Sequence, residues 1–292
     1  MKNTVKKVVS FCLKLSGSPR FARDYVSIVI ARNEVTWQSR KWMSSICLGI
    51  AFQFMITPSH ADNATPHPPK QKWSFARTFG TFKRDELQRG FQVYKEVCSA
   101  CHSLKRIRFR NLKSLGFNEA EIKAIAAGYE VKDGPNAEGE MFQRKALPSD
   151  AIPSPYPNDN AARTANNGAL PPDLSLIIKA REGGADYIHA LMNGYTAPPA
   201  GIVVEGGRYY NQYFPGGQIS MAKPLTDGQV TYADGTNATV EQMSRDVVTF
   251  LAWAAEPEAE ERKQMGVKVM AYLLVMTVIF YLTMRRIWRD VK

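Results

Sequence analysis

Apolar side chains recur at helical spacing in several separate stretches of this chain, and one further stretch is apolar almost throughout. From Asp85 onward, Leu87, Phe91 and Tyr94 fall on one side, which predicts a helix running up to Cys98; Gly90 and Tyr94 on it would allow a second helix to pack closely. Asn118 with Glu121 three residues later predicts a capped short helix over Glu119–Ala127, closed by Gly128. Helical pieces are predicted over Asp173–Arg181 and Ala185–Met192, split by Gly183-Gly184. Thr239, with Gln242 completing a capping box, opens a longer helix whose apolar stripe is Val240, Met243, Val247, Phe250, Leu251 and Ala254. Pro257 and the surrounding acids end it. The intervening segments 129–169 and 194–237 are rich in Pro and Gly and predict loops, with a short hairpin in the second.

Val267–Met284 is the long apolar run, 18 residues that span about 27 Å as a helix and so match a hydrocarbon core. Acids precede it and Arg285, Arg286 and Arg289 follow, which places the tail in the cytoplasm and the body across the membrane. A second, shorter run, Ile46–Ile56, lies between Arg40-Lys41 and the small-x-small site Ser59-His60-Ala61, the layout of a secretory signal cleaved after Ala61. The expected organisation is a leader and signal over 1–61, a lead-in over 62–84 and a folded domain over 85–256. A linker over 257–266, a membrane helix over 267–284 and a basic tail over 285–292 complete it. This layout suits a bacterial inner membrane with the folded domain on the periplasmic side; a two-part mitochondrial presequence would look similar.

Composition changes the picture in one respect. The 292 residues carry a formal charge of +11, but the leader and the tail hold nearly all of it, leaving the folded body close to neutral. A nucleic-acid partner is therefore not expected, since no basic face spreads over the body.

The chemistry sits in Cys98-Ser99-Ala100-Cys101-His102. Thiols three apart and an imidazole four from the first leave one side of a helical turn as neighbours. Two thiols so placed bond the two vinyl groups of one haem, and the imidazole comes up under its iron. A four-ligand zinc site needs a second thiol pair, and a thioredoxin-like pair needs a βαβ setting; neither is present in the sequence. A thioether as second axial ligand would raise the haem potential and suit electron transfer, whereas an open position would suit ligand binding. Met243 sits in an apolar helical stripe and fits a core better. Met221 follows the Gly-rich turn Pro215-Gly216-Gly217 and precedes Pro224, which favours it over Met141 and Met192 while leaving all three open. His189 reads as packed or exposed rather than as a ligand, and His67 as solvated. Lys105, Arg106, Arg108, Arg110 and Lys113 form a basic run just after the haem motif.

The segments RGFQVYKEVCSACHSL (Arg89–Leu104), DGPNAEGEMF (Asp133–Phe142), NNGALPPDLS (Asn166–Ser175), YFPGGQISMAKPL (Tyr213–Leu225) and FLAWAAEPE (Phe250–Glu258) resemble, in order, the cytochrome c1 family. That family supplies the haem subunit of the ubiquinol–cytochrome c oxidoreductase complex. The resemblance covers about Trp73 to Arg286 and implies a mainly α, elaborated class I cytochrome c domain with long loops and a single C-terminal transmembrane helix. It implies one covalent haem c on Cys98 and Cys101, with His102 and Met221 as axial ligands. It also implies Asn166, Leu170 and Pro172 in the haem pocket and Arg181 near a propionate. Cytochrome b, a Rieske iron–sulfur protein and cytochrome c would be its partners, in a subunit that relays electrons and is not catalytic alone. The basic run is heavier than the family suggests and would repel a basic cytochrome c, so Glu130, Asp133, Glu138 and Glu140 are the better docking acids. A free-standing anchored cytochrome, or a haem sensor or peroxidase with an open sixth site, are the alternatives.

Overall fold

The computed structural model describes residues 65–289 and 291; the leader, the signal and the cleavage site expected over 1–61 lie outside them. Helix α1 (Arg84–Glu96) begins with Asp85 and Glu86 and ends with Lys95, charges that complement the helix dipole, and it buries the expected Leu87, Phe91 and Tyr94 together with Gly90 and Val93. Helix α2 (Glu119–Ala127) carries the predicted box: Asn118 accepts from the Glu121 N–H and Glu121 from the Asn118 N–H. Helix α3 (Asp159–Ala165) is capped by Asn158, helix α4 (Gly184–Asn193) follows a left-handed Gly183, and helix α5 (Val240–Ala255) is capped by Thr239. Helix α6 (Ala259–Arg289) is continuous. Two small antiparallel hairpins, β1–β2 (Glu130–Asp133 with Phe142–Lys145) and β3–β4 (Tyr209–Tyr210 with Gln218–Ile219), lie between helices.

The core is the crossing of α1 and α5. At Gly90 a Cβ would fall 2.1 Å from the Asp246 carbonyl oxygen and 2.7 Å from the Phe250 Cβ, so only a glycine lets the two backbones approach this closely. Phe91, Tyr94 and Trp253 each stack or tilt against Phe250 with ring centroids 5.6–5.7 Å apart. Polar pairs also cross this apolar contact: Thr249 donates its hydroxyl to Glu86 at 3.3 Å, and Arg89 meets Asp246. Arg89 donates to both oxygens of the fully buried Asp246 at 2.9 and 3.1 Å and reaches Asp234 at 2.7 Å. Burial raises the Asp246 pKa even against Arg89, while the hydrogen bond to Asp246 drives that of Arg89 upward. The guanidinium is the largest of the contacts that favour the charged carboxylate against its burial. Helix α4 also packs on α5, where Asn193 donates to Ser244 Oγ at 2.8 Å.

Two expectations are corrected. Residues 173–181 form a chain of turns, not a helix: Ile177, Lys179 and Ala180 donate to the carbonyls three residues back, at Leu174, Leu176 and Ile177, while Asp173 and the Leu174 N–H tie the start of the segment to Lys105 and Ser103. Gln242 does not complete the capping box: the Thr239 N–H it would accept from is already given to the Asn237 carbonyl at 3.0 Å, and the Gln242 amide donates to Asp246 at 3.0 Å. Residues 257–266, just ahead of the apolar run, are mostly helical, since α6 starts at Ala259 with Glu260 and Glu261 in its first turn. Glu260 also accepts from the Phe82 N–H at 2.6 Å and from Arg84 at 2.7 Å, so the start of α6 is clamped to the chain entering α1. Hairpin β1–β2 and helix α3 fall in the segment read as loop.

Helix α6 is the one helix among the described residues long and apolar enough to cross a membrane, with a mean hydropathy of 2.0 in its most apolar window and none of that window buried. An apolar face this large and uncovered belongs in hydrocarbon, and the chain is a single-pass membrane protein with its folded domain outside the bilayer.

Gly90→Ala should destabilise the domain by about 1–3 kcal/mol through overpacking at the helix crossing, read as a lower denaturant midpoint. Arg89→Met, which strands Asp246, should cost more, about 3–5 kcal/mol. A smaller effect at Arg89 than at Gly90 would contradict this ranking.

Candidate haem site

The end of α1 delivers the motif. The helix tightens into a 3-10 turn over Cys98–Ala100, and the N–H groups of Cys101 and His102 both go to the Cys98 carbonyl, at 3.2 and 2.9 Å. One turn thus carries both thiols and the imidazole. Tyr94, a turn earlier, donates its hydroxyl to the His102 carbonyl at 3.2 Å and fixes the far end.

The imidazole is oriented from the opposite strand of chain. Its Nδ1 lies 2.8 Å from the Pro172 carbonyl, which can only accept, so Nδ1 carries the proton and Nε2 keeps its lone pair. Burial lowers the His102 pKa against the smaller raising effects of Pro172 and Asp173, which favours the neutral ring. Asp173 locks the two segments together: it accepts from Ser103 Oγ at 2.7 Å and from the N–H groups of Lys105 and Ser175 at 2.9 and 3.0 Å. Burial disfavours its charge, but these donors outweigh burial and hold its pKa below the usual carboxylate range.

Neither Cys98 nor Cys101 is in a disulfide, and burial, aided by the neighbouring Cys101, pushes the Cys98 thiol up to about 12. Two unpaired thiols beside a neutral imidazole with its outer nitrogen free form the donor set that a haem c requires, so the residues fit the group.

Met221 comes from a different part of the fold. It follows hairpin β3–β4, whose turn needs Gly217 at φ 73, with a Cβ there 2.9 Å from the Tyr210 ring. Buried Asn211 stitches this hairpin to the end of α4, donating to the Leu191 carbonyl at 2.8 Å, while the Gln212 N–H reaches the Gly194 carbonyl. Tyr195 then donates its hydroxyl to the Met221 carbonyl at 3.0 Å. Because α4 rests on α5 and α5 on α1, the loop bearing Met221 and the turn bearing His102 share one rigid support. Of the other methionines weighed, Met141 is exposed on the first hairpin's turn, and Met243 is fully buried in the core as expected.

The remaining pocket candidates are less uniformly placed. Pro172 supplies the carbonyl already described, and Leu170 lies two residues before it with its apolar side chain partly exposed. Asn166 turns back on its own helix, donating to the Ala162 carbonyl at 2.7 Å and to Tyr156 Oη at 3.1 Å. Arg181 is exposed and donates to the Ala180 carbonyl. His189 is buried edge-on to Trp73, and His67 is exposed. Three positioning residues were not legible beforehand: Asp173, Tyr195 and Asn211 act through hydrogen bonds to distant backbone, and only the Pro-Pro-Asp turn around Asp173 carried a local signal.

A haem-binding turn on a helix that crosses a C-terminal helix, tied to a membrane anchor, defines a membrane-bound c-type cytochrome. The cytochrome C1 family matches residues 73–291. The chain is 48% identical over 239 residues to cytochrome c1 of Rhodospirillum rubrum, covering 76% of this chain and 88% of that protein. It is 53% identical over 200 residues to a mitochondrial cytochrome c1 heme protein of Solanum tuberosum, covering 68% and 77%. Against the protein named cytochrome b/c1 of Bradyrhizobium diazoefficiens it is 46% identical over 267 residues, covering 84% of this chain but spanning only 39% of that longer relative. The chain belongs to the cytochrome c1 family, and its cofactor is a covalently bound haem c.

Asp173 contributes stability that is fully present above the unfolded carboxylate pKa of about 3.9 and is lost as pH falls through its lower folded value. Asp173→Asn should therefore lower unfolding stability near neutral pH by roughly 1–3 kcal/mol, and the gap from the parent should close on acidification below that range. An unfolding-midpoint difference that persisted unchanged into acid would contradict the assignment.

Proposed function

We propose that this protein relays electrons from a Rieske iron–sulfur protein to cytochrome c within a ubiquinol–cytochrome c oxidoreductase complex, beside cytochrome b, on the periplasmic side of a bacterial inner membrane. The observation that carries the reading is the single turn Cys98–His102 with the His102 imidazole held by the Pro172 carbonyl. Bound haem supplies a one-electron couple at its iron. Cys98 and Cys101 would hold the group covalently, and His102 through Nε2 and Met221 through its sulfur would bind its iron. Leu170 and Pro172 line the edge of the pocket, with Asn166 bracing it and Arg181 near a propionate. A relay needs no general acid, base or nucleophile, and the subunit does not oxidise quinol alone.

For docking, Asp133 is committed to Arg144, which also binds Asp150, whereas Glu130, Glu138 and Glu140 are exposed on the same hairpin. These three acids are the proposed face for a basic cytochrome c.

Met221→Leu should leave the haem attached, lower its potential and let carbon monoxide bind the reduced protein; a redox titration and a carbon monoxide difference spectrum read both. A variant that kept the parent potential and stayed inert to carbon monoxide would remove Met221 as ligand. Purification in mild detergent with a cytochrome b and a Rieske protein separates the complex subunit from a free-standing cytochrome.

A further inference from the structure

A cationic cleft opens beside the first turns of the anchor helix. It encloses about 470 Å³ and is lined by Lys72, Ser74, Arg77, Lys83, Glu86 and Arg245, among others. Glu86 is the one carboxylate in the lining, and it is already engaged, 3.0 Å from Lys83 and accepting from Thr249 Oγ1. Arg245 lies over the Trp73 ring and donates to the Lys72 carbonyl. Among the described residues, the Lys72 ammonium and the Arg77 guanidinium have no hydrogen-bond or ion-pair partner, and Ser74 Oγ is buried without one. The cleft is thus built for an anion.

Its height is fixed by α6. Lys263, in the second turn of that helix, donates to the carbonyls of Phe75, Arg77 and Gly80 at 2.7, 3.0 and 3.0 Å, so its ammonium is caged by the loop 74–80. Lys263 precedes the apolar run at Val267 by four residues, about 6 Å along the helix. Gly80 closes the loop so tightly that a Cβ there would lie 2.3 Å from the Ser74 carbonyl oxygen. This rigid loop carries Phe79 on its outside, 77% exposed. An aromatic ring held in the open on a loop whose carbonyls grip Lys263, about a turn before the apolar run, with unpaired cations in the adjoining cleft, is the chemistry of an interfacial lipid contact.

We infer that the loop 74–80 and the adjoining cleft bind the phosphate headgroup of a membrane phospholipid, with Lys72 and Arg77 on the phosphate and Phe79 entering the interface. The inference depends on α6 spanning the membrane and on none of the haem chemistry. The occupant is a lipid, since the cage on Lys263 ties the cleft to the bilayer surface.

The test uses the full-length haem-loaded chain in its membrane complex, reconstituted in vesicles of phosphatidylcholine with and without phosphatidylglycerol. A nitroxide on Thr78→Cys, next to Phe79, should show oxygen and nickel-chelate accessibilities of the membrane interface. After detergent extraction the parent should retain phosphatidylglycerol, and Lys72→Gln with Arg77→Gln should lose that retention by on the order of tenfold. Added inorganic phosphate should leave it unchanged. An unaltered haem spectrum certifies the fold of the double variant, and Arg77→Gln alone serves if that spectrum changes. The inference is overturned by a label that stays aqueous, by one shielded by a partner subunit in lipid-free micelles, by retention that survives both replacements, or by displacement with inorganic phosphate.

Discussion

The closeness of α1 and α5 at Gly90 governs the rest of the molecule. Without a side chain at that point the helices approach until the Phe250 ring sits among Phe91, Tyr94 and Trp253, and an ion pair, Arg89 with Asp246, is drawn into the contact along with them. Hydrophobic contact supplies the attraction, and the ion pair fixes register because neither charge tolerates a slip that would leave it unpaired. The haem-binding turn is the direct continuation of α1, so the position of His102 follows from where this crossing places the end of the helix.

The second half of the site is built by a different means. Met221 sits on a loop with little regular structure of its own, and its location comes from polar stitches to α4: Asn211 on the Leu191 carbonyl, Gln212 on Gly194, and Tyr195 on Met221 itself. The Asn211 and Tyr195 side chains each find a backbone carbonyl, and the Gln212 stitch is made by its own backbone N–H. A helix carries His102 and a laced loop carries Met221, the ligand proposed opposite it, with α5 as the common support between them.

This division explains what was legible in the sequence. Features that live on one stretch of chain were readable: the spacing of Cys98, Cys101 and His102, the caps at Asn118 and Thr239, the apolar stripe of α5, the span in α6 and the close-packing glycine. Features that need two distant stretches were not. Asp173 looked like the start of a helix because its role, gathering donors from Ser103 and Lys105, depends on a segment some seventy residues away. Gln242 looked like half of a cap because the buried carboxylate that claims it lies on the next turn facing Arg89. Hairpin β1–β2 was hidden by its polar strands, in which Glu130, Lys132 and Gln143 carry no alternating apolar signal.

Glu260 holds the first turn of α6 against Phe82 and Arg84, and from there the helix runs unbroken to Arg289. No swivel separates the globular part from its stalk, so the azimuth of the haem face about the membrane normal is set by helical phase. Each residue added or removed between Glu260 and the lipid boundary would rotate that face by about 100° and shift its altitude by about 1.5 Å. The length of this short stretch therefore acts as a dial, and which neighbours the iron can face across the membrane surface is written in a residue count.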